Sequence, residues 1–136
     1  MAAKAKRAAL IGYDCLIPKR LEAMLAQGGL DNFRRFMAEG SFIPEGYNLP
    51  TVTPPSWATI CTGAYPRTHG VEDYYYYHEG RSLDYKETTQ AFGSDILTAQ
   101  TIWDAWDKEG KKCIVVNYPM SWPSHMKNGV MIMGEG

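Results

Sequence analysis

The apolar positions of this chain fall into short clusters whose spacing alternates between strand-like runs and helical repeats. Residues 7–13 carry Ala8-Ala9-Leu10-Ile11 ahead of Gly12 and Tyr13, a pattern that predicts a short buried β-strand with Asp14 at its end. Residues 18–26 then repeat at helical spacing, with Leu21, Met24 and Leu25 on one face and Gly28-Gly29 as the stop. A second helix is expected over 30–39, with Phe33, Phe36 and Met37 as its apolar stripe and Gly40 closing it. Residues 41–43 read as a short strand that leads into a Pro-rich loop.

Beyond that loop, residues 56–61 fit a helix whose start is set by Pro54-Pro55 and whose end is Thr62-Gly63. Residues 71–78 include the tyrosine run 74–77, and a turn over 79–81 folds them back on 82–85 as a hairpin. Another helix opens at Thr98-Ala99-Gln100-Thr101 and runs to Lys108, with Ile102, Trp103 and Trp106 facing inward and Gly110 as the cap. Residues 113–116 read as a buried strand and 130–133 as one more. Strands alternating with helices give the rhythm of a parallel α/β sheet with right-handed crossovers.

Composition narrows the class without naming a function. The 136 residues are 45% hydrophobic and 21% charged with a net charge of -1, which is ordinary globular usage. A chain of this length buries roughly two-thirds of the surface its unfolded form exposes, so it needs no covalent staples. Cys15, Cys61 and Cys113 lie far apart with no C-x-x-C pair, so all three are expected to be reduced and buried. The basic start before the apolar run resembles a signal peptide, but the run stops at Gly12, too soon for an export segment. No stretch approaches the ~20 apolar residues of a membrane helix. A soluble, cytoplasmic protein with no membrane partner is the expectation. Interspersed charges also leave no footprint for a nucleic-acid polymer.

The residues with most chemical content run from Pro50 to Gly70, as Pro50-Thr51-Val52-Thr53-Pro54-Pro55-Ser56-Trp57 and Thr62-Gly63-Ala64-Tyr65-Pro66-Arg67-Thr68-His69-Gly70. Thr53 stands at the mouth of a helix, where it is either an N-cap followed by proline or a nucleophile. The helix start is an anion site, and since prolines carry no N–H, its first available amides are those of Ser56 and Trp57. Asp14, at a strand end, is either a solvated carboxylate or a metal ligand. His78 and His125 read as surface or packing residues, and Trp57, Trp103, Trp106 and Trp122 as core or domain-contact residues.

Together with Asn117-Tyr118-Pro119-Met120-Ser121-Trp122-Pro123 and Asn128-Gly129-Val130-Met131, these motifs make the chain resemble the N-terminal part of the type I phosphodiesterase/nucleotide pyrophosphatase family. The family belongs to the alkaline phosphatase superfamily, and the resemblance spans residues 7–134. It implies an α/β fold: an alkaline-phosphatase-like, mostly parallel sheet flanked by helices, incomplete in this chain, with a small hairpin excursion near 71–85. Residues 1–136 would then be the N-terminal part of one catalytic domain.

By the same resemblance, Asp14 is a ligand of one ion in a two-metal centre. Thr53 is the nucleophile and also contacts that metal, and Ser56 and Trp57 face the substrate. His69 supports its loop rather than a metal. The implied reaction is hydrolysis of a small-molecule phosphate ester through a phosphothreonine, with zinc or manganese as the two divalent ions. Ser56 stands where nucleotide pyrophosphatases of the family carry asparagine; it keeps a hydrogen-bond donor but bears on whether nucleotide diesters are the substrate. Residues 61–67 lack the C-x-P-x-R pattern of sulfatases. A two-metal centre takes about three protein ligands per ion, whereas only Asp14 and Thr53 match ligand positions. The expectation is therefore an N-terminal fragment, inactive alone, that self-associates through uncovered sheet edges and helix faces. The alternative is a non-catalytic α/β module that binds an anion or a partner at the Thr53 helix.

Overall fold

The computed structural model describes residues 6–44, 46 and 48–133. The chain divides into two compact units, residues 1–46 and 47–136.

The first unit holds two helices. Helix α1 (Pro18–Ala26) starts on a proline, whose fixed φ suits the first turn and whose missing N–H would have been unpaired there anyway. Leu21 is its buried residue, Leu25 is half-buried and Met24 is exposed. Helix α2 (Asp31–Glu39) begins one residue later than its pattern predicts, because Leu30 sits in the left-handed region at φ 53°. Asp31 in the first turn complements the positive end of the helix. The apolar stripe is only partly covered: Phe33 packs its ring 6.2 Å from that of Tyr13, but Phe36 is 79% exposed.

The strand expected over 7–13 is not formed. Its residues are exposed, Leu10 by 57% and Ile11 by 69%, and no described backbone group pairs with them. An apolar β-prone run becomes a strand only when a ladder partner takes up its N–H and C=O groups. Residues 41–43 are likewise extended but unpaired among the described residues.

The second unit is organised around helix α3 (Thr53–Thr62), whose residues Pro54, Pro55, Ala58 and Cys61 form one buried face at helical spacing. Ala58 lies in a cluster with Val71, Ala91 and Met120. Cys61 lies in a second cluster with Trp103, Cys113 and Val115. A single turn, α4 (Pro66–His69), follows at once.

A hairpin does form, but not with the expected partner. Strand β1 (Tyr75–Tyr76) pairs antiparallel with β2 (Thr89–Gln90), while Tyr85–Glu87 turns into a short 3-10 helix. Helix α5 (Ile102–Lys108) starts later than Thr98, because Thr101 is the cap: its side chain accepts from the Asp104 amide at 3.3 Å. Trp103 is buried and Trp106 half-buried as expected; Ile102 faces outward. Strands β3 (Cys113–Val116) and β4 (Gly129–Ile132) pair in parallel, Cys113 opposite Gly129. Strand β3 is buried on one face only: Cys113 and Val115 point into the core, whereas Ile114 is 78% exposed. The unit thus combines helices with one short parallel and one short antiparallel pair, compatible with an incomplete α/β fold.

Candidate functional site

The stretch from Val52 to Gly70 folds as two helices back to back, and its glycines and prolines mark the joints. Val52 is extended and caps α3, so Thr53 is the first helical residue and not the cap. The Val52 carbonyl accepts from the Ser56 amide at 3.0 Å, the first rung of the helix. This closes one alternative and corrects one expectation. The Thr53 hydroxyl is not spent on capping, and the Ser56 amide belongs to the helix ladder instead of being offered to an anion. Because Pro54 and Pro55 lack N–H groups, the first-turn donor left to the helix start is the amide of Thr53 itself.

At the other end, Gly63 takes φ 67° and its amide returns to the Thr59 carbonyl at 2.8 Å, closing α3. Pro66 opens α4 two residues past Ala64, and Gly70 at φ 83° closes it with a 2.8 Å bond to the Pro66 carbonyl. A Cβ at Gly70 would lie 3.1 Å from Thr98 Oγ1 and 3.3 Å from the Ile96 carbonyl oxygen, so the position excludes a side chain twice over. The T-G-x-Y-P and H-G segments of the motif are thus the hardware that turns the chain sharply behind Thr53.

His69 completes this hardware. It has no exposed surface, its Nδ1 accepts from the Val71 amide at 3.2 Å, and its Nε2 lies 3.1 Å from Thr59 Oγ1. With Nδ1 accepting, Nε2 carries the proton and donates to Thr59. Burial lowers its pKa, which keeps it neutral. His69 therefore ties α4 to α3 and has no nitrogen left for a metal.

Thr53 is half-buried, and its Oγ1 accepts from the hydroxyl of Tyr74 at 2.9 Å. Trp57, one turn on, is set edge-on to Tyr118 with ring centroids 5.1 Å apart, and its carbonyl accepts from the Tyr118 hydroxyl at 2.9 Å. Burial raises the Tyr118 pKa, with the neighbouring Cys61 adding to it, so this phenol stays protonated as a donor. Burial also pushes the Cys61 thiol up to about 12, which removes it as a nucleophile. Thr53, Ser56 and Trp57 share the first turn and a half of α3, whereas Asp14 belongs to the first unit.

Asp14 lies exposed in a turn rather than at a strand end, 3.5 Å from the Cys15 thiol. Cys15 is exposed, not buried; Cys61 and Cys113 are buried, and all three are free thiols. Among the described residues no group of three or more His, Cys, Asp or Glu side chains could hold a metal ion. The donors Asp14 and Thr53, one carboxylate and one hydroxyl, do not make a metal site by themselves.

Tyr74 escaped the sequence reading. The run 74–77 signals a strand, but nothing in it says that the first phenol reaches a threonine 21 positions earlier.

Among the described residues no helix is long and apolar enough to cross a membrane. The model of one protein family, described as Type I phosphodiesterase / nucleotide pyrophosphatase, matches residues 8–130. No curated protein and no solved structure matches the chain.

Proposed function

The chain belongs to the type I phosphodiesterase/nucleotide pyrophosphatase family, and we propose that it carries the nucleophile of a phosphate-ester hydrolase in Thr53. The observation that supports this reading is the Thr53 hydroxyl at the first position of α3, released from capping and held at the positive end of the helix. A hydroxyl there meets an incoming phosphate with the field in its favour and the Thr53 amide as a donor.

In this reading Thr53 Oγ1 forms a bond to phosphorus as the bond to the leaving oxygen breaks, and the Thr53 proton ends on that oxygen to give the free alcohol. A water oxygen then replaces Oγ1 on phosphorus and restores the hydroxyl. A threonine hydroxyl is weak at neutral pH and needs a base or a positive charge to hold its alkoxide. The family is divalent-metal dependent, and the donors this chain would bring to an ion are Asp14 and Thr53. They are too few to hold zinc or manganese, so the remaining carboxylate and imidazole ligands are proposed to come from residues other than those described. On the same ground the 136 residues alone are proposed to turn over little. Ser56 and Trp57 are proposed to face the substrate, a reading supported by their position near the start of α3, with Ser56 acting through its hydroxyl because its amide is engaged.

The experiment is a bis-nitrophenyl phosphate assay on the longest polypeptide its reading frame encodes, with zinc or manganese, for wild type and Thr53→Ala. A phosphoryl adduct on the Thr53 peptide, lost together with turnover in Thr53→Ala, is the expected result. Full activity in Thr53→Ala overturns the reading. Phosphate binding at α3 with neither adduct nor turnover would instead make it an anion-binding module.

A further inference from the structure

The bond from the Tyr74 hydroxyl to Thr53 Oγ1 joins the hairpin to the start of α3. Both ends are anchored. The Tyr74 carbonyl accepts from the Ala91 amide at 2.8 Å, its amide donates to Asp73 Oδ1 at 2.7 Å, and its ring leans on Phe92 with centroids 6.1 Å apart. Ala91 packs in the same buried cluster as Ala58 of α3, so the phenol and the helix are fixed to one core.

Nothing within α3 does this for Thr53. A threonine in a helix divides between two χ1 rotamers, one of them held by a carbonyl three or four residues earlier. At the first helical position no such helical carbonyl precedes it, so the Tyr74 hydroxyl is what selects the orientation of Oγ1.

We propose that Tyr74 is a catalytic partner of Thr53, holding the Thr53 oxygen in one orientation and stabilising negative charge on it. This rests on the reading of Thr53 as the nucleophile. A hydroxyl has one proton and two acceptor sites. With one site taken by Tyr74, the proton of Thr53 points away from the phenol and the other lone pair faces outward for attack. A hydrogen bond given to the charged form of a group favours that form, so donation from Tyr74 lowers the cost of the Thr53 alkoxide.

The same donor acts again in the second step. There the attacking water forms a bond to phosphorus while the P–Oγ1 bond breaks. Oγ1 departs with the electron pair and recovers its proton from the water. Tyr74 keeps its own proton throughout. It is a donor positioned where charge develops on the leaving oxygen, not an acid that is consumed.

The test is Tyr74→Phe, which removes one oxygen and keeps the ring against Phe92. Turnover of bis-nitrophenyl phosphate by the full-length protein is expected to fall about 10- to 100-fold in kcat with KM moved less than about twofold, as for loss of a donor to a developing charge. An unchanged kcat would overturn the proposal.

A second measurement needs no turnover. Three-bond couplings of the 13C-labelled Thr53 side chain are expected to report one χ1 rotamer in wild type and an average in Tyr74→Phe. An unaltered single rotamer in the variant would overturn the positioning. Activity persisting in Thr53→Ala would sink the nucleophile reading alone, while the couplings would still decide whether Tyr74 orients Thr53.

Discussion

The imidazole of His69 is sandwiched by hydrogen bonds, 3.1 Å from Thr59 Oγ1 on one side and 3.2 Å from the Val71 amide on the other, with no surface open to solvent. A histidine followed by glycine, in a chain that resembles a metal hydrolase, invites a ligand role. Here the geometry assigns it to fastening α4 and the following segment onto α3.

That arrangement makes stability depend on pH in one direction. Burial lowers the folded pKa of His69, so between the unfolded value, ~6.5, and the lower folded value the unfolded chain binds the extra proton. The contribution is complete above the unfolded pKa and is lost as pH falls through the folded one. Urea unfolding from pH 7.5 to pH 5 is expected to show stability falling by at most about 1.4 kcal/mol per pH unit from this group. Thr59→Val is expected to leave the direction unchanged, and His69→Gln to flatten the slope. A slope of opposite sign would show that His69 is charged in the native state.

The two motif glycines are expected to differ. Both have positive φ, but a Cβ at Gly63 meets nothing within 4 Å, whereas one at Gly70 crowds Thr98 and Ile96. Gly63→Ala should cost about 1–2 kcal/mol from backbone strain alone, and Gly70→Ala more than that. Equal losses in chemical denaturation would mean that the contacts at Gly70 relax freely.

The three thiols should react in the order of their surroundings. Cys15 is exposed, while Cys61 and Cys113 are buried with thiols pushed up by burial, Cys61 to about 12. Alkylation of the native protein at pH 8 is expected to modify Cys15 only, and alkylation in urea all three. Peptide mass spectrometry reads the outcome; early modification of Cys61 would contradict its place in the core.

Asp107 should hold the approach to β4. Its carboxylate accepts from the Lys127 amide at 3.0 Å and the Asn128 amide at 2.6 Å, and the Lys127 bond foremost holds its pKa below the usual carboxylate range. A depressed folded pKa gives stability that is present above the unfolded value and lost as pH falls through the folded one. In Asp107→Ala, amide exchange at Lys127 and Asn128 is expected to quicken, with α5 itself intact because alanine suits a helix. Unchanged protection at both amides would remove Asp107 from this role.

What the sequence made legible was mostly local. Helix α1 carries its own start at Pro18 and its stop at Gly28-Gly29, and its bounds are those its pattern predicts. The parallel strands announced themselves through Cys113-Ile114-Val115-Val116 and Val130-Met131-Ile132. Features that depend on a distant partner were not legible. Residues 7–13 have strand composition without a ladder, and the return strand at Thr89–Gln90 lacks the apolar alternation that would single it out. Helix α3 starts at Thr53, ahead of the expected 56, and its cap moves by one residue from Thr53 to Val52 because two prolines can be read as N1 and N2 or as N2 and N3. The Val52 to Ser56 bond decides for the latter and changes what Thr53 does.

Helix α3 has a further property that follows from its two neighbourhoods. Ala58 faces the hairpin cluster and Cys61, three positions on, faces the cluster of Trp103 and the parallel strands. The two clusters therefore share one beam. Thr53 stands at the end of that beam, so the order of its backbone draws on both cores that grip the helix rather than on its own contacts alone.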